Sequence, residues 1–174
     1  MDLKHLLNIE KDEIRAQIAF YKAHRQVFQF GTFRRIAGGW QVSDGLITLA
    51  AVFRTLFSAA PPYEKLRLKG LDSAKRYHLR SREQKLRIGQ FGSLVKHVAP
   101  VNLNPNGAIL RTADRHITLP DGVMDVNASG AALMAGIPLL PLFRGTGYDK
   151  TQRTLTDFGS ELFIIEEDST DENS

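Results

Sequence analysis

A helix pattern that runs without a linker into a β pattern constrains this chain most. Asn8 is placed to cap a helix beginning near Ile9, because its short side chain can accept from a free backbone N–H. Glu10, Asp12 and Glu13 fill the first turns, where negative charge complements the helix dipole. Ile14, Ile18, Tyr21 and Phe28 recur at helical spacing. A second apolar set, Ala16, Phe20, Ala23 and Val27, falls on nearly the opposite side. A helix lying on one core needs one stripe. Two stripes suggest a helix touched from both sides, one side covered by the β region that follows and the other by something outside this sequence; the alternative is that Phe20 and Val27 belong to one wide apolar face. Gly31 is expected to end the helix in a left-handed conformation.

From there the reading is β. Phe33 to Ile36 and Trp40 to Val42 are predicted strands around a Gly38-Gly39 turn, and Asp44-Gly45 is a hairpin signal. Leu46 to Phe53 is apolar on both alternating faces, the pattern of a strand covered on both sides. Pro61-Pro62 breaks the chain, and Tyr63 to Leu71 then alternates as a half-buried antiparallel strand. Arg76 to Arg82 alternates again, with Tyr77 and Leu79 opposed to Arg76, His78, Arg80 and Arg82. Gly92 to Ala99 reads as a short helix stopped by Pro100. Asn104-Pro105-Asn106-Gly107 and Pro120-Asp121-Gly122 are turns, with strands expected at Ile109–Thr112 and His116–Leu119. Ser129 to Ile137 is small and apolar and is expected to be a tightly packed strand. Leu155 to Glu166 closes the fold as a last strand.

Short strands at roughly ten-residue spacing predict a mainly β fold, an antiparallel sandwich of Greek-key type preceded by one N-terminal α-helix. The expected division is a lead-in and helix over 1–30, a β-sandwich over 31–166 and an acidic, disordered tail over 167–174.

The chemistry available is narrow. With no cysteine among 174 residues, disulfides, thiolate metal sites and cysteine nucleophiles are excluded. That fits a reducing, cytoplasmic setting. The start at Met1 to Leu7 has no long apolar run, so no signal peptide is expected, and no stretch suits a membrane span. The net charge of +4 is spread along the chain. Lys65, Arg67 and Lys69 with Arg76, His78, Arg80 and Arg82 make a basic ridge. A solvated hairpin face explains that ridge better than a nucleic-acid site, since the interleaved aromatics of a stacking platform are missing. Gly145-Thr146-Gly147-Tyr148-Asp149-Lys150-Thr151 lacks phosphate-loop spacing, because the glycine that should precede the lysine is Asp149. His5, His24, His78, His97 and His116 show no metal-ligand spacing. Asp44, Asp72, Asp121 and Asp125 are the candidates for a glycosidic carboxylate pair, but turn chemistry accounts for the first three. Ser43, Ser93 and Ser129 have no nucleophile-elbow context. Trp40 can stack on a sugar or fill a core. No catalytic, substrate-binding or metal-ligating residue is assigned, and no cofactor is expected.

One resemblance runs through nearly the whole chain. Ile18-Ala19-Phe20-Tyr21-Lys22 with His24-Arg25, then Gln29-Phe30-Gly31-Thr32-Phe33, resembles the segment that ends the catalytic barrel of glycoside hydrolase family 36 α-galactosidases. Trp40-Gln41-Val42-Ser43, Leu66-Arg67-Leu68-Lys69-Gly70-Leu71-Asp72 with Tyr77, Gly130-Ala131-Ala132-Leu133-Met134 with Gly136, and Asp157-Phe158-Gly159-Ser160-Glu161-Leu162 follow in the family's order. Phe91 to Asn104 and Leu142 to Arg153 are similar to the lactic-acid-bacterial branch. The resemblance implies a plan in which a (β/α)8 barrel holds a nucleophile and an acid/base aspartate and is followed by a C-terminal β-sandwich. This chain would supply the last barrel helix and that sandwich. Nothing in it matches the barrel strands that carry the two aspartates, so no catalytic role passes to any residue here.

The implied function is therefore an accessory domain of an enzyme that releases terminal α-galactose from melibiose- or raffinose-type sugars, inactive alone. Its expected partners are the catalytic barrel of the parent chain and further copies in a homo-oligomer. Neither nucleic acid nor membrane is expected as a partner. An independent carbohydrate-binding or protein-interaction module is the alternative.

Overall fold

The computed structural model describes residues 8–56, 63–87, 107–113, 115–116, 118–143, 149, 151–153 and 158–168. Two helices open it, α1 (Asn8–Ala23) and α2 (Arg25–Phe30). Strands β1 (Thr32–Ile36), β2 (Gly39–Ser43) and β3 (Ile47–Phe53) follow as a meander. Then come β4 (Lys65–Leu66), β5 (Arg76–Ser81), β6 (Lys85–Arg87), α3 (Ala108–Ala113) and β7 (Thr118–Pro120). The last elements are β8 (Asp125–Ser129), α4 (Gly130–Ala135), β9 (Ile137–Pro138) and β10 (Ser160–Glu167).

One antiparallel six-stranded sheet, in the order β1-β2-β3-β10-β5-β8, is the frame. The final strand inserts between β3 and β5, so the sheet is closed by the end of the sequence. The expected mainly β, antiparallel architecture with an N-terminal helix is what the chain adopts. The second layer of the sandwich is short and contains the two-stranded pairing of β4 with β9, while β6 and β7 pair separately.

Alternation in β10 divides the interior into two cores. Phe163 and Ile165 face Ala50, Leu66, Leu68, Tyr77, Leu79, Met124, Leu133 and Leu139 on the sandwich side. Ile164, with Leu162 beside it, faces Val27, Val42 and Leu49 on the helix side. Both faces of β3 are thus covered, as its continuous apolar pattern predicts. Gly39 makes the meander possible: a Cβ there would lie 1.8 Å from the carbonyl oxygen of Ala51, so only glycine lets β2 and β3 meet at that point. At the tip, Gly45 takes φ +97°, and Asp44 Oδ1 accepts from the backbone N–H of Leu46 (3.0 Å) and Ile47 (2.9 Å).

Four expectations are corrected. The opening helix is interrupted at His24, where φ is −108° and ψ is 16°. The Phe20 carbonyl there takes the His24 backbone N–H at 3.1 Å and also lies 3.0 Å from His24 Nδ1, a local side-chain contact that competes with regular helix geometry. Gly31 is not left-handed, since its φ is −70° and its ψ 158°. Glycine is needed there for room, as a Cβ would sit 2.5 Å from the Val27 carbonyl oxygen and 2.8 Å from Val42 Cγ2. Residues 130–135, expected as strand, are α4: Ser129 Oγ accepts from Ala132 N–H, Ala and Leu favour helix, and Gly136 at φ +108° ends it. The strand expected at Ile109–Thr112 is α3 for the same reason of propensity, with Leu110 as its buried residue. The expected helix over 92–99, the Pro61-Pro62 break and the Asn104 to Asn106 turn lie outside the described residues.

Phe163 is fully buried at the meeting of β3, β10 and β5. Phe163→Ala should cost about 3–5 kcal/mol in urea denaturation. Leu46→Ala, at the exposed hairpin tip, should stay within about 0.5 kcal/mol.

Candidate functional surface and the buried charge cluster

Two features stand apart from ordinary packing: an aromatic surface on the helix side and a cluster of charges on the sandwich side. The aromatic surface starts on α1. Phe20 turns inward, stacked on His24 (centroids 4.3 Å apart) with the Arg82 guanidinium 4.9 Å from its ring centre on β5's trailing end. Tyr21 stacks on Phe28 at 5.7 Å, Phe28 meets Trp40 edge-on at 6.2 Å, and Trp40 stacks on Phe33 at 6.4 Å. This ribbon crosses from α1 over α2 and β2 to the edge strand β1. Its ends are open, with Tyr21 45% and Phe33 61% exposed, and Ile18 49% exposed beside them. The two stripes read from the sequence are therefore divided: Phe20 and Val27 lie on the domain's own sheet, Phe28 packs with them, and Ile18 and Tyr21 do not.

The charge cluster centres on Arg153, 2% exposed. Its Nη1 donates to Glu161 Oε2 at 2.8 Å, its Nη2 to Glu64 Oε2 at 2.7 Å and its Nε to the Leu140 carbonyl at 2.7 Å. Arg54 Nη2 donates to the other oxygen of Glu64. One side chain thus fastens the segment around Leu140 and Arg153 to β10 and to the approach to β4. Burial holds the Glu161 carboxyl above the usual carboxylate range, and the Arg153 guanidinium offsets this only in part. Its Oε1 is buried without a hydrogen-bond partner. The Arg153 pairing gave no sequence signal, because Glu64 is 89 residues from Arg153 and the eight-residue separation of Arg153 and Glu161 matches no helix or strand period.

The sequence candidates are dispersed over separate partners. Asp44 caps the hairpin, Asp72 Oδ1 accepts from Ala74 N–H, Asp121 Oδ1 accepts from Gly122 N–H, and Asp125 lies 2.7 Å from His78 Nε2. Ser43 Oγ accepts from Thr48 Oγ1, and Ser129 caps α4. His24 stacks on Phe20, and His116 lines an open depression of about 540 Å³ with Ala108, Ile109, Thr112 and Ala113. Trp40 belongs to the aromatic ribbon. In the basic ridge, Arg80 is 3.6 Å from Glu166 and His78 faces Asp125, so cross-strand acids answer part of its charge. Among the described residues, no group of three or more His, Asp or Glu is placed to hold a metal ion, and no helix is long and apolar enough to cross a membrane. His5, Ser93, His97 and most of the Gly145–Thr151 loop lie outside the described residues.

The description "Glycosyl hydrolase family 36 C-terminal domain" belongs to the family model that matches residues 40–165. The chain belongs to that family. A curated relative, Alpha-galactosidase AgaA of Geobacillus stearothermophilus, is 39% identical over 88 residues, which is 45% of this chain and 12% of the relative. The crystal structure of an α-galactosidase from Lactobacillus brevis superposes with a TM-score of 0.59 at 25% identity, covering 97% of this chain and 18% of that one. The AgaA crystal structure gives a TM-score of 0.58 at 26% identity, covering 97% of this chain and 17% of that one. This family 36 C-terminal domain therefore spans less than one fifth of the length of these relatives.

Two outcomes follow for the charge cluster. Arg153→Met leaves the buried Glu161 carboxylate without its cation, while Glu64 keeps Arg54, and should cost about 3–5 kcal/mol, read by thermal or urea denaturation. Glu161 has a folded-state pKa above its unfolded value, so its contribution to stability is fully present below the unfolded value, about 4.3, and is lost as pH rises through the folded one. Wild-type stability should accordingly fall relative to Glu161→Gln as pH rises from about 4 toward neutrality. Parallel curves for the two proteins would contradict this cause.

Proposed function

We propose that this chain is the C-terminal accessory domain of an α-galactosidase, stabilising and helping to assemble the catalytic part of a longer polypeptide while doing no chemistry itself. The observation that carries the reading is the family match over residues 40–165. It is supported by the way the candidate carboxylates are distributed: each is engaged with a local turn, a histidine or an arginine. A retaining glycosidase needs two carboxyl groups about 5–5.5 Å apart flanking an open sugar site. In the tightest acid cluster described, Glu161 and Glu64 are instead both held on the buried Arg153 guanidinium, with Glu161 itself buried.

Relatives in the comparison were crystallised with raffinose and with stachyose. On that likeness, the substrates of the parent enzyme are terminal α-galactosides of this type; the resemblance of the residues, not the comparison, implies that its barrel supplies both catalytic aspartates, and a homo-oligomer remains the expectation for the assembled enzyme. The division expected from the sequence, a helical lead-in before residue 31 and the β domain after it, is part of the same proposal.

Incubated with a chromogenic α-galactoside, the purified chain should give no turnover above a heat-killed control. Turnover that disappears on Glu161→Gln would overturn the accessory reading. Calorimetric titration with raffinose at millimolar concentration should be flat. A saturable heat there would favour an independent carbohydrate-binding module.

A further inference from the structure

An open sheet ends in two edge strands, and in this one they are β1 and β8. An edge offers backbone N–H and C=O groups to any strand that can match it, so edges are commonly guarded by lysine, arginine, proline or a bulge. β1 is guarded, with Arg34 and Arg35 at its centre. β8 reads Asp-Val-Asn-Ala-Ser and carries none of these, and its register with β5 runs unbroken from Arg76↔Ser129 to Arg80↔Asp125. Its one charge turns back over its own sheet, where Asp125 Oδ1 lies 2.7 Å from His78 Nε2. Solvent reaches the strand: the Asp125 side chain is 71% exposed, and Asn127 is exposed too.

Hydrogen bonds at the two ends of β8 fix which of its groups point outward. Ser81 N–H donates to the Met124 carbonyl at 2.8 Å, and Gly130 N–H donates to the Lys75 carbonyl at 2.9 Å. In an antiparallel ladder, pairs that exchange such bonds alternate with pairs that do not. Met124, Val126, Ala128 and Gly130 therefore direct their backbone groups at β5, and the N–H groups of Asp125, Asn127 and Ser129 point away from it. Among the described residues, no strand pairs with that outer side.

One register matches this pattern with itself. Two copies of β8 related by a two-fold axis through Asn127 set Asn127 against the partner's Asn127, Asp125 against the partner's Ser129 and Val126 against the partner's Ala128. Outward groups then meet outward groups. The two Asn127 residues exchange N–H···O bonds, and Ser129 N–H reaches the carbonyl of the partner's Asp125. No like charges stand opposite each other, and Val126 beside the partner's Ala128 continues the side of the sheet that packs on the sandwich core. A slip of one residue would set outward groups against inward ones. β1 paired with itself on Arg34 would set arginine against arginine. We infer that β8 is the contact through which two copies of this chain join edge to edge, making one sheet that runs through both. The inference stands on the register of β8, independently of the accessory-domain reading, and gives the expected homo-oligomer a named strand.

Sedimentation of the 174-residue chain from about 10 µM to about 1 mM tests it. A five-residue strand pair buries less than the ~1,200 Å² of a standard interface, so dimers should form only toward the upper concentration. Asn127→Pro removes an outward N–H and no bond to β5, at a position where an edge strand accepts proline. It should weaken dimerisation at least about tenfold, and when diluted it should melt with the wild type. Ser129→Asp keeps a cap for α4 but sets a second carboxylate against the partner's Asp125, and should weaken dimerisation as well. Ser129→Asn, which caps without charge, should dimerise as the wild type does. In hydrogen exchange, the amides of Asn127 and Ser129 should gain protection as the concentration rises. Dimers that survive both Asn127→Pro and Ser129→Asp would overturn the β8 contact and leave a homo-oligomer through another surface. A chain that stays monomeric to about 1 mM would overturn the contact as well. Neither result touches the α-galactosidase reading, which the turnover assay tests separately.

Discussion

The insertion of β10 between β3 and β5 is the constraint on which the rest of this structure depends. The strand arrives last in the sequence and takes a central place in the sheet. Before it docks, the meander of β1 to β3 and the pair β5–β8 have no common edge to join them. Once docked, Phe163 and Ile165 complete the sandwich-side core, and Leu162 and Ile164 complete the helix-side one. Pairings between residues this distant in sequence carry a large loop-closure cost, and burial on both faces of one strand offsets it. Glu161, at the entry of the same strand, ties the Arg153 segment to the sheet.

The two cores differ in how they are finished. The sandwich side is sealed by the β4–β9 layer, by α4, and by the Arg153 pairings at its margin. On the helix side, the sheet is covered by α2 and by one flank of α1 and then gives way to polar residues of β5 and β8. That contrast explains why α1 can be long and regular yet bury nothing completely. Its contacts to the sheet are aromatic and few, and Ile18 and Tyr21 on its opposite shoulder stay exposed.

Much of this was legible in the residues. The meander was marked by Gly38-Gly39 and Asp44-Gly45, and the doubly covered strand by the run from Ile47 to Phe53, because turns and alternation are local signals. The two apolar stripes of the opening helix were legible too, although the sequence could not say which one packs on the sheet. What failed was local propensity misread through context. The small residues from Gly130 to Ala135 pack against the turn at Asp72, where a Cβ on Gly130 would lie 2.0 Å from a carbonyl oxygen. That close approach was expected of a strand but is achieved at the start of a capped helix turn. The Arg153 cluster was invisible because its pairings, one across 89 residues and one across eight, leave no periodicity. The ribbon from Tyr21 to Phe33 could be seen only once β1, β2 and the helices were set side by side.

Hydrogen exchange on the 174-residue chain, followed residue by residue, tests the central claim that α1 is only half-housed by this domain. The account predicts that the amides of Asn8–Ala23 exchange through local opening at a small free energy, while those of β3, β5 and β10 exchange only with global unfolding. Amides of α1 protected as strongly as those of β10 would contradict it, because the helix would then need no further surface to hold it.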